Sequence, residues 1–204
     1  MKKLLLIIYC YTGLLQAQYT AIPDIAFEAF LIQNGYDSEL VYDGQILTSD
    51  IDKIETLEIN INSIDIYPIK NLKGIQDFSS LENFSLTLSN CENIDFGSLL
   101  NLKNINCFSN SNLESINLTQ CPSLEKAIIS DNIISSLDFT QNILLTEILV
   151  SDNDLFYLDF RNSNNHIISQ FNTLNNPNLQ CIFVDEVIIP GAYCLFVPLP
   201  HDGI

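Results

Sequence analysis

Leu124 to Asn142 reads LEKAIISDNIISSLDFTQN, and Leu145 to Ser163 reads LTEILVSDNDLFYLDFRNS. Laid one over the other, the two stretches put apolar residues on offsets 0, 3, 5, 10, 13 and 15, with an asparagine on offset 8. Neither a helical nor a simple strand period produces that spacing. It fits a chain that coils once per repeat and stacks each coil on the last. Working outward, coils begin at Leu81, Leu102, Leu124, Leu145 and Ile168, in steps of 21, 22, 21 and 23 residues. An earlier coil begins near Ile54, with Leu57, Ile59, Asn62 and Ile64 in the expected slots. It then detours through YPIKNLKGIQDFSS, which Pro68 and Gly74 mark as loop-like.

The spacing dictates a physical arrangement. Offsets 3 and 5 point the same way along a short strand, and coils stacked about 4.8 Å apart join these strands into a parallel sheet. The chain must then turn sharply, bringing backbone groups against an apolar interior. Asn62, Asn110, Asn132, Asn153 and Asn176 stand where an inward amide can bond those groups, as a structural ladder. A second, shorter pattern follows in each coil as ENIDF, ESINL, SSLDF and FYLDF. It places Asp95, Asn117, Asp138 and Asp159 in a column. These read first as turn residues; Asp138 and Asp159 are weak candidates for calcium, and no metal or other cofactor is expected.

The two ends differ from the coils. MKKLLLIIYCYTGLLQAQYT has a basic start at Lys2 and Lys3, an apolar run from Leu4 to Leu15 and a small Ala17. That layout predicts a signal peptide over residues 1–17, too short for a spanning helix, and no transmembrane segment in the mature chain. Residues 18–53 contain IPDIAFEAFLIQNGYD, where Pro23 and Asp24 suit a helix start, Ile25, Phe27, Phe30 and Leu31 form a stripe, and Gly35 ends it. This is expected to be an N-terminal helical cap with its connection. The solenoid then spans 54–186. Residues 187–204 fit no coil and read as an irregular tail or cap, with Val187, Ile188, Leu195 and Phe196 available to cover the last layer.

Composition narrows the function. The chain has 204 residues, 25 acidic and 8 basic, a formal charge of -17. Without Lys2 and Lys3 it falls to about -19. Nucleic acid is thereby excluded as a partner, since phosphate needs the opposite sign. Cys107 and Cys91 occupy slots otherwise held by Leu or Ile and read as core, while Cys121 stands where another coil has Asn142. Cys181 and Cys194 lie together at the end, and an exported chain would permit a disulfide between them. No paired CxxC, HExxH or glycine-rich phosphate loop occurs, and neither His166 nor His201 has a credible set of partners.

LEKAIISDNII matches the LxxLxLxxNxL consensus, and LKNINCFSNSNLESINLTQC the pattern LxxLxCxxNxLxxLDLSxN. With the opening IPDIAFEAFLIQNGYD, the stretch DGQILTSDI and the close LQCIFVDE, the chain resembles the leucine-rich repeat family over residues 21–186. More narrowly it is similar to exported leucine-rich repeat proteins of Bacteroidetes-type bacteria. The resemblance implies an α/β solenoid with short parallel strands, a mostly irregular convex side and an N-terminal helical cap. It also implies a secreted or cell-surface location and contacts with protein or glycan.

The expected function is thus a non-catalytic extracellular binding module presenting its concave sheet face to a protein or glycan. The alternatives are a calcium-stabilised surface protein or, less favoured, a surface hydrolase. The binding residues expected from the offsets are Lys103, Asn106, Phe108, Lys126, Ile128, Ser130, Glu147, Leu149 and Ser151. Phe108, Ile128 and Leu149 stand out because they are apolar on a face that should be wet.

Overall fold

The computed structural model describes residues 17–60, 68–185 and 194–196, the last by backbone alone. The expected signal segment up to residue 16, Asn62 and Ile64 of the first coil, Val187, Ile188 and His201 lie outside the described residues.

The chain opens with β1 (Tyr19–Ala21), helix α1 (Ile25–Gln33), β2 (Gln45–Leu47) and a single-turn helix α2 (Thr48–Ile51). Strands β1 and β2 pair antiparallel, with Thr20 opposite Ile46. Asp24 caps α1 through Oδ1, which accepts from the backbone N–H groups of Ala26 and Phe27 at 2.9 and 3.0 Å. Its Oδ2 accepts from the N–H groups of Lys70 and Asn71, both at 2.9 Å, tying the helix start to the detour. Phe27 and Leu31 are buried, and the Phe27 ring stacks on Phe78 with centroids 6.4 Å apart. Ile25, expected on the buried stripe, is 65% exposed instead. It is the first helical residue, and the cap turns it outward while Phe27 takes the inward place.

The first coil contributes β3 (Thr56–Asn60). Each later coil contributes two strands: β4 (Asn83–Thr87) and β5 (Asn93–Asp95), then β6 (Asn104–Phe108) and β7 (Ser115–Asn117). These are followed by β8 (Lys126–Ile128) and β9 (Ser136–Asp138), β10 (Glu147–Leu149) and β11 (Tyr157–Asp159), and β12 (Gln170–Asn172) and β13 (Cys181–Phe183). Finally β14 (Cys194–Phe196) returns antiparallel along β13. Among the described residues the first strands form one parallel sheet in the order β12-β10-β8-β6-β4-β3. The result is a parallel-strand solenoid of about five turns with leucine-rich-repeat-like coils.

The interior follows the offsets. Leu57 and Ile59, Phe84 and Leu86, Ile105 and Cys107, Ala127 and Ile129, and Ile148 and Val150 are all buried behind the first sheet. Phe96, Leu118, Phe139 and Phe160 fill offset 15 or 16 behind the second strands, and Phe84 meets Phe96 edge-on at 5.0 Å. Burial of a side chain of this size is worth about 1.5–3 kcal/mol.

Two parts differ from expectation. The return half of the coils is more regular than foreseen, because β5 pairs with β7 and β9-β11-β13 form a further parallel ladder. A constant period of 21 to 23 residues brings this half into register as surely as the first. The detour, for its part, is no free loop. Ile69, Leu72, Ile75 and Phe78 are buried, with a 3-10 turn over Ile75–Asp77. Gly74 there has φ +102°, and an added Cβ would come within 2.4 Å of Ile22 Cδ1 and 2.7 Å of the Ala21 carbonyl oxygen. Only glycine allows the detour to close that tightly on the N-terminal unit.

Candidate binding face

Three columns of side chains project from the outer side of the six-stranded sheet. The first contains Thr56, Asn83, Asn104, Lys126, Glu147 and Gln170 in register. It is polar and internally bonded: Asn104 Nδ2 donates to Asn83 Oδ1 at 2.8 Å, and Asn83 Nδ2 to Thr56 Oγ1 at 3.3 Å. Lys126 Nζ lies 2.9 Å from Glu147 Oε2. Just outside the strands, Lys103 and Glu82 make a matching pair at 2.9 Å. All four side chains are partly solvated, so neither pair holds the fold together to any large degree. Their consequence is to neutralise positive charge that an anion could otherwise use.

The second column runs Glu58, Ser85, Asn106, Ile128, Leu149 and Asn172. Ile128 and Leu149 are therefore direct cross-strand neighbours, both half-buried. Asn106 stands beside Ile128, and its sheltered Oδ1 has no hydrogen-bond partner. Phe108 belongs to the third column, after Asn60 and Thr87, and is 47% exposed. It thus reaches Ile128 diagonally, a span that an aromatic side chain can cover. The three apolar residues form one oblique strip flanked by amides and hydroxyls.

Ser130 and Ser151 must be corrected. Ser130 is buried: its Oγ donates to the Leu149 carbonyl at 3.2 Å and is met by Ser151 Oγ at 3.3 Å. The strand has ended by this offset, and the hydroxyls now serve the turn. Lys103, Asn106, Phe108, Lys126, Ile128, Glu147 and Leu149 remain on the face.

The asparagine ladder lies beneath this turn. Asn132 Oδ1 accepts from the Asn110 N–H at 3.0 Å, and its Nδ2 donates to the Cys107 and Ser130 carbonyls at 2.8 and 3.0 Å. Asn110 serves the Ser89 N–H and the Leu86 carbonyl, while Asn153 serves the Ile134 N–H and the Ile129 carbonyl. Asn176 is half-buried and links the Leu155 N–H to the Val150 carbonyl. Ser89, which stands where asparagine was expected, donates its hydroxyl to Asn110 Oδ1 at 2.7 Å.

One column escaped the sequence reading. The residue before each ladder position has a left-handed backbone: Leu88, Ser109, Asp131, Asp152 and Asn175 have φ between 56° and 60°. Ser109, Asp131, Asp152 and Asn175 are short and polar, types that tolerate this conformation, and that run was the available signal. Ser109 Oγ bonds Asp131 Oδ2, and Asn175 Nδ2 donates to Asp152 Oδ1 at 2.7 Å. A shallow cleft lined by Leu88, Ser89, Asn90, Ser109, Ser111 and Asp131 opens at this edge.

The acidic column of the return strands is engaged locally. Asp138 Oδ1 accepts from Thr140 N–H and Oγ1 at 2.9 and 2.7 Å. Asp159 Oδ1 accepts from Arg161 Nε at 2.9 Å. Burial works against the charged form of Asp159, but the hydrogen bonds and charge of Arg161 outweigh it and hold the carboxyl below its usual range. Among the described residues, no three or more His, Cys, Asp or Glu side chains gather as a ligand set. His166 is exposed in the middle of a 3-10 turn over Asn165–Ile167.

Cys91, Cys107 and Cys121 are buried free thiols. Burial pushes Cys91 and Cys121 up to about 11, and Cys107 further in the same direction. None has the thiolate character of a nucleophile. Cys181 is in a disulfide, and β14 brings Cys194 alongside its strand, opposite Phe183. The Cys194 side chain lies outside the described residues.

These features define the class: a coiled solenoid with a stacked parallel sheet and an inward asparagine ladder. No family model matches the chain, and no curated protein matches it. Among solved structures it is similar to the functional domain of InlJ from Listeria monocytogenes, described as including a cysteine ladder. Identity is 18%, with 84% of this chain and 48% of that one covered and a TM-score of 0.42. The chain thus spans about half the length of that protein, and its class rests on the coil geometry above. Among the described residues, no helix is long and apolar enough to cross a membrane.

Proposed function

We propose that this chain is a non-catalytic extracellular binding module that holds its six-stranded sheet face out to a protein or glycan partner. The single observation behind this reading is the oblique strip of Phe108, Ile128 and Leu149, apolar side chains left at least partly open on a face that is otherwise polar, with amides, hydroxyls and two ion pairs. Exposed apolar groups rimmed by polar ones are what a complementary surface covers. In this reading α1 is the N-terminal cap, since Phe27 and Leu31 close the first core layer and Asp24 fastens the helix to the detour. In the same reading the basic and apolar opening before Ala17 directs export, and the resemblance of the repeat pattern to exported leucine-rich repeat proteins of the Bacteroidetes type supports it.

The test is capture of partners from the organism's own exterior by the wild-type chain and by Phe108→Asp/Leu149→Asp. Both side chains are partly solvated, so the double variant should keep the wild-type melting curve and lose capture. Equal capture by the two proteins would remove this face from consideration.

A further inference from the structure

The two ends of the six-stranded sheet are finished differently. At the N-terminal end, Leu57 and Ile59 of β3 are fully buried, and Glu55 and Glu58 flank them. At the other end, β12 is the terminal strand among the described residues. Phe171 holds the same slot as the buried Ile105, Ala127 and Ile148, yet it is 42% exposed. Leu174, just beyond, is 71% exposed. Edge strands are ordinarily protected by lysine, proline or a bulge, and Gln170-Phe171-Asn172 has none of these.

Charge singles out the same place. From Asn162 to Val184 there is no Asp, Glu, Lys or Arg, in a chain of formal charge -17. The earlier coils carry carboxylates along their length, whereas those of the last coil come only at its close, at Asp185 and Glu186. Two copies of so acidic a chain repel wherever charged surfaces approach, and the stretch around β12 spares them that cost.

We infer that the β12 edge pairs with the β12 edge of a second copy, antiparallel about a two-fold axis centred on Phe171. The backbone polarity fits. Asn172 gives its carbonyl to the Val150 N–H at 2.8 Å, and Gln170 gives its N–H to the Thr146 carbonyl at 3.3 Å, so both residues face β10. Phe171 between them therefore turns its N–H and C=O outward. Across the two-fold axis, Phe171 of each copy exchanges both hydrogen bonds with Phe171 of the other, and Gln170 stands opposite Asn172. The two exposed rings then cover each other, extending the sheet across two chains.

The experiment is light-scattering mass of the full chain against concentration. One chain is 23.0 kDa, and the wild type should approach twice that mass as concentration rises. Phe171→Pro removes the outward N–H without touching the bonds to β10 and should stay at one chain mass. Gln170→Lys/Asn172→Lys puts like charges opposite each other and should do the same; mixing it with Gln170→Glu/Asn172→Glu should restore the double mass. A wild type that remains monomeric overturns the inference, and so does a dimer that survives Phe171→Pro. A charge-swapped mixture that stays at single mass does so too. If this chain's own C-terminal residues or another protein cover β12, the first or last of these results appears.

Discussion

At the turn after the first strand of each coil, Asn110, Asn132, Asn153 and Asn176 both accept and donate, each tying its own coil to the one before. At the turn after the second strand the bonding differs from coil to coil. Asn142 donates to the Leu118 and Cys121 carbonyls at 3.0 and 2.8 Å, but its buried Oδ1 has no partner. Asn162 donates to the Asn142 carbonyl but accepts only within its own turn, from the Asn164 N–H and Asn165 Nδ2, while Cys121, a poor hydrogen-bonding residue, takes the corresponding place a coil earlier. The first turn follows a strand that keeps its register through six coils, so one side chain can serve every layer. The second follows sheets that are split between β7 and β9, and it tolerates substitution.

The comparison can be broken most directly at Asn132. Asn132→Leu takes their side-chain partner from the Asn110 N–H and the Cys107 carbonyl inside the core, so chemical denaturation should show a loss of about 3–5 kcal/mol. A loss no larger than that of a surface change would mean the ladder is decorative. Asn142→Leu removes two bonds to carbonyls that keep backbone donors from Cys121 and Leu124, and it relieves an orphaned acceptor, so the loss should be no more than about 1 kcal/mol. If it equals or exceeds the effect at Asn132, the two turns are not different in kind.

Leu88 sharpens the picture from the other direction. It is the one branched apolar residue in the left-handed column, at φ 59°. Leu88→Asn should therefore stabilise the protein by about 1 kcal/mol, visible as a higher melting temperature. The smallest effect concerns Asp159. Its carboxyl ionises more readily in the folded chain than its ordinary value of about 3.9. It therefore contributes stability above that pH and loses it as pH falls through the lowered folded value. Comparing wild type with Arg161→Gln in melts between about pH 2 and 7 should show curves that differ near neutrality and converge toward the acid end. Curves separated by the same amount throughout would mean the pair is not what holds Asp159 down.

Much of this was legible in the amino acids. The core slots Leu86, Cys107, Ile129 and Val150 and the ladder positions from Asn110 to Asn176 recur at a fixed period, and a repeated slot can only repeat its environment when coils stack. Single, unrepeated solutions were harder to see. The inward packing of Ile69, Leu72 and Ile75, the outward turn of Ile25 and the burial of Ser130 each occur where the period is interrupted or a strand ends. On the face, the offsets already put Phe108 one column away from Ile128 and Leu149, but they did not show the burial of Ser130.

By itself the sequence determined that the chain winds, which repeated slots it hides, and that its composition is strongly acidic. Those properties are set residue by residue, through hydrophobic period and charge. The tertiary structure decided which apolar side chains stand opposite each other across strands, which hydroxyls are consumed by turns, and that β12 ends the sheet among the described residues. These depend on neighbours brought together from coils more than twenty residues apart, a relation that no local pattern contains.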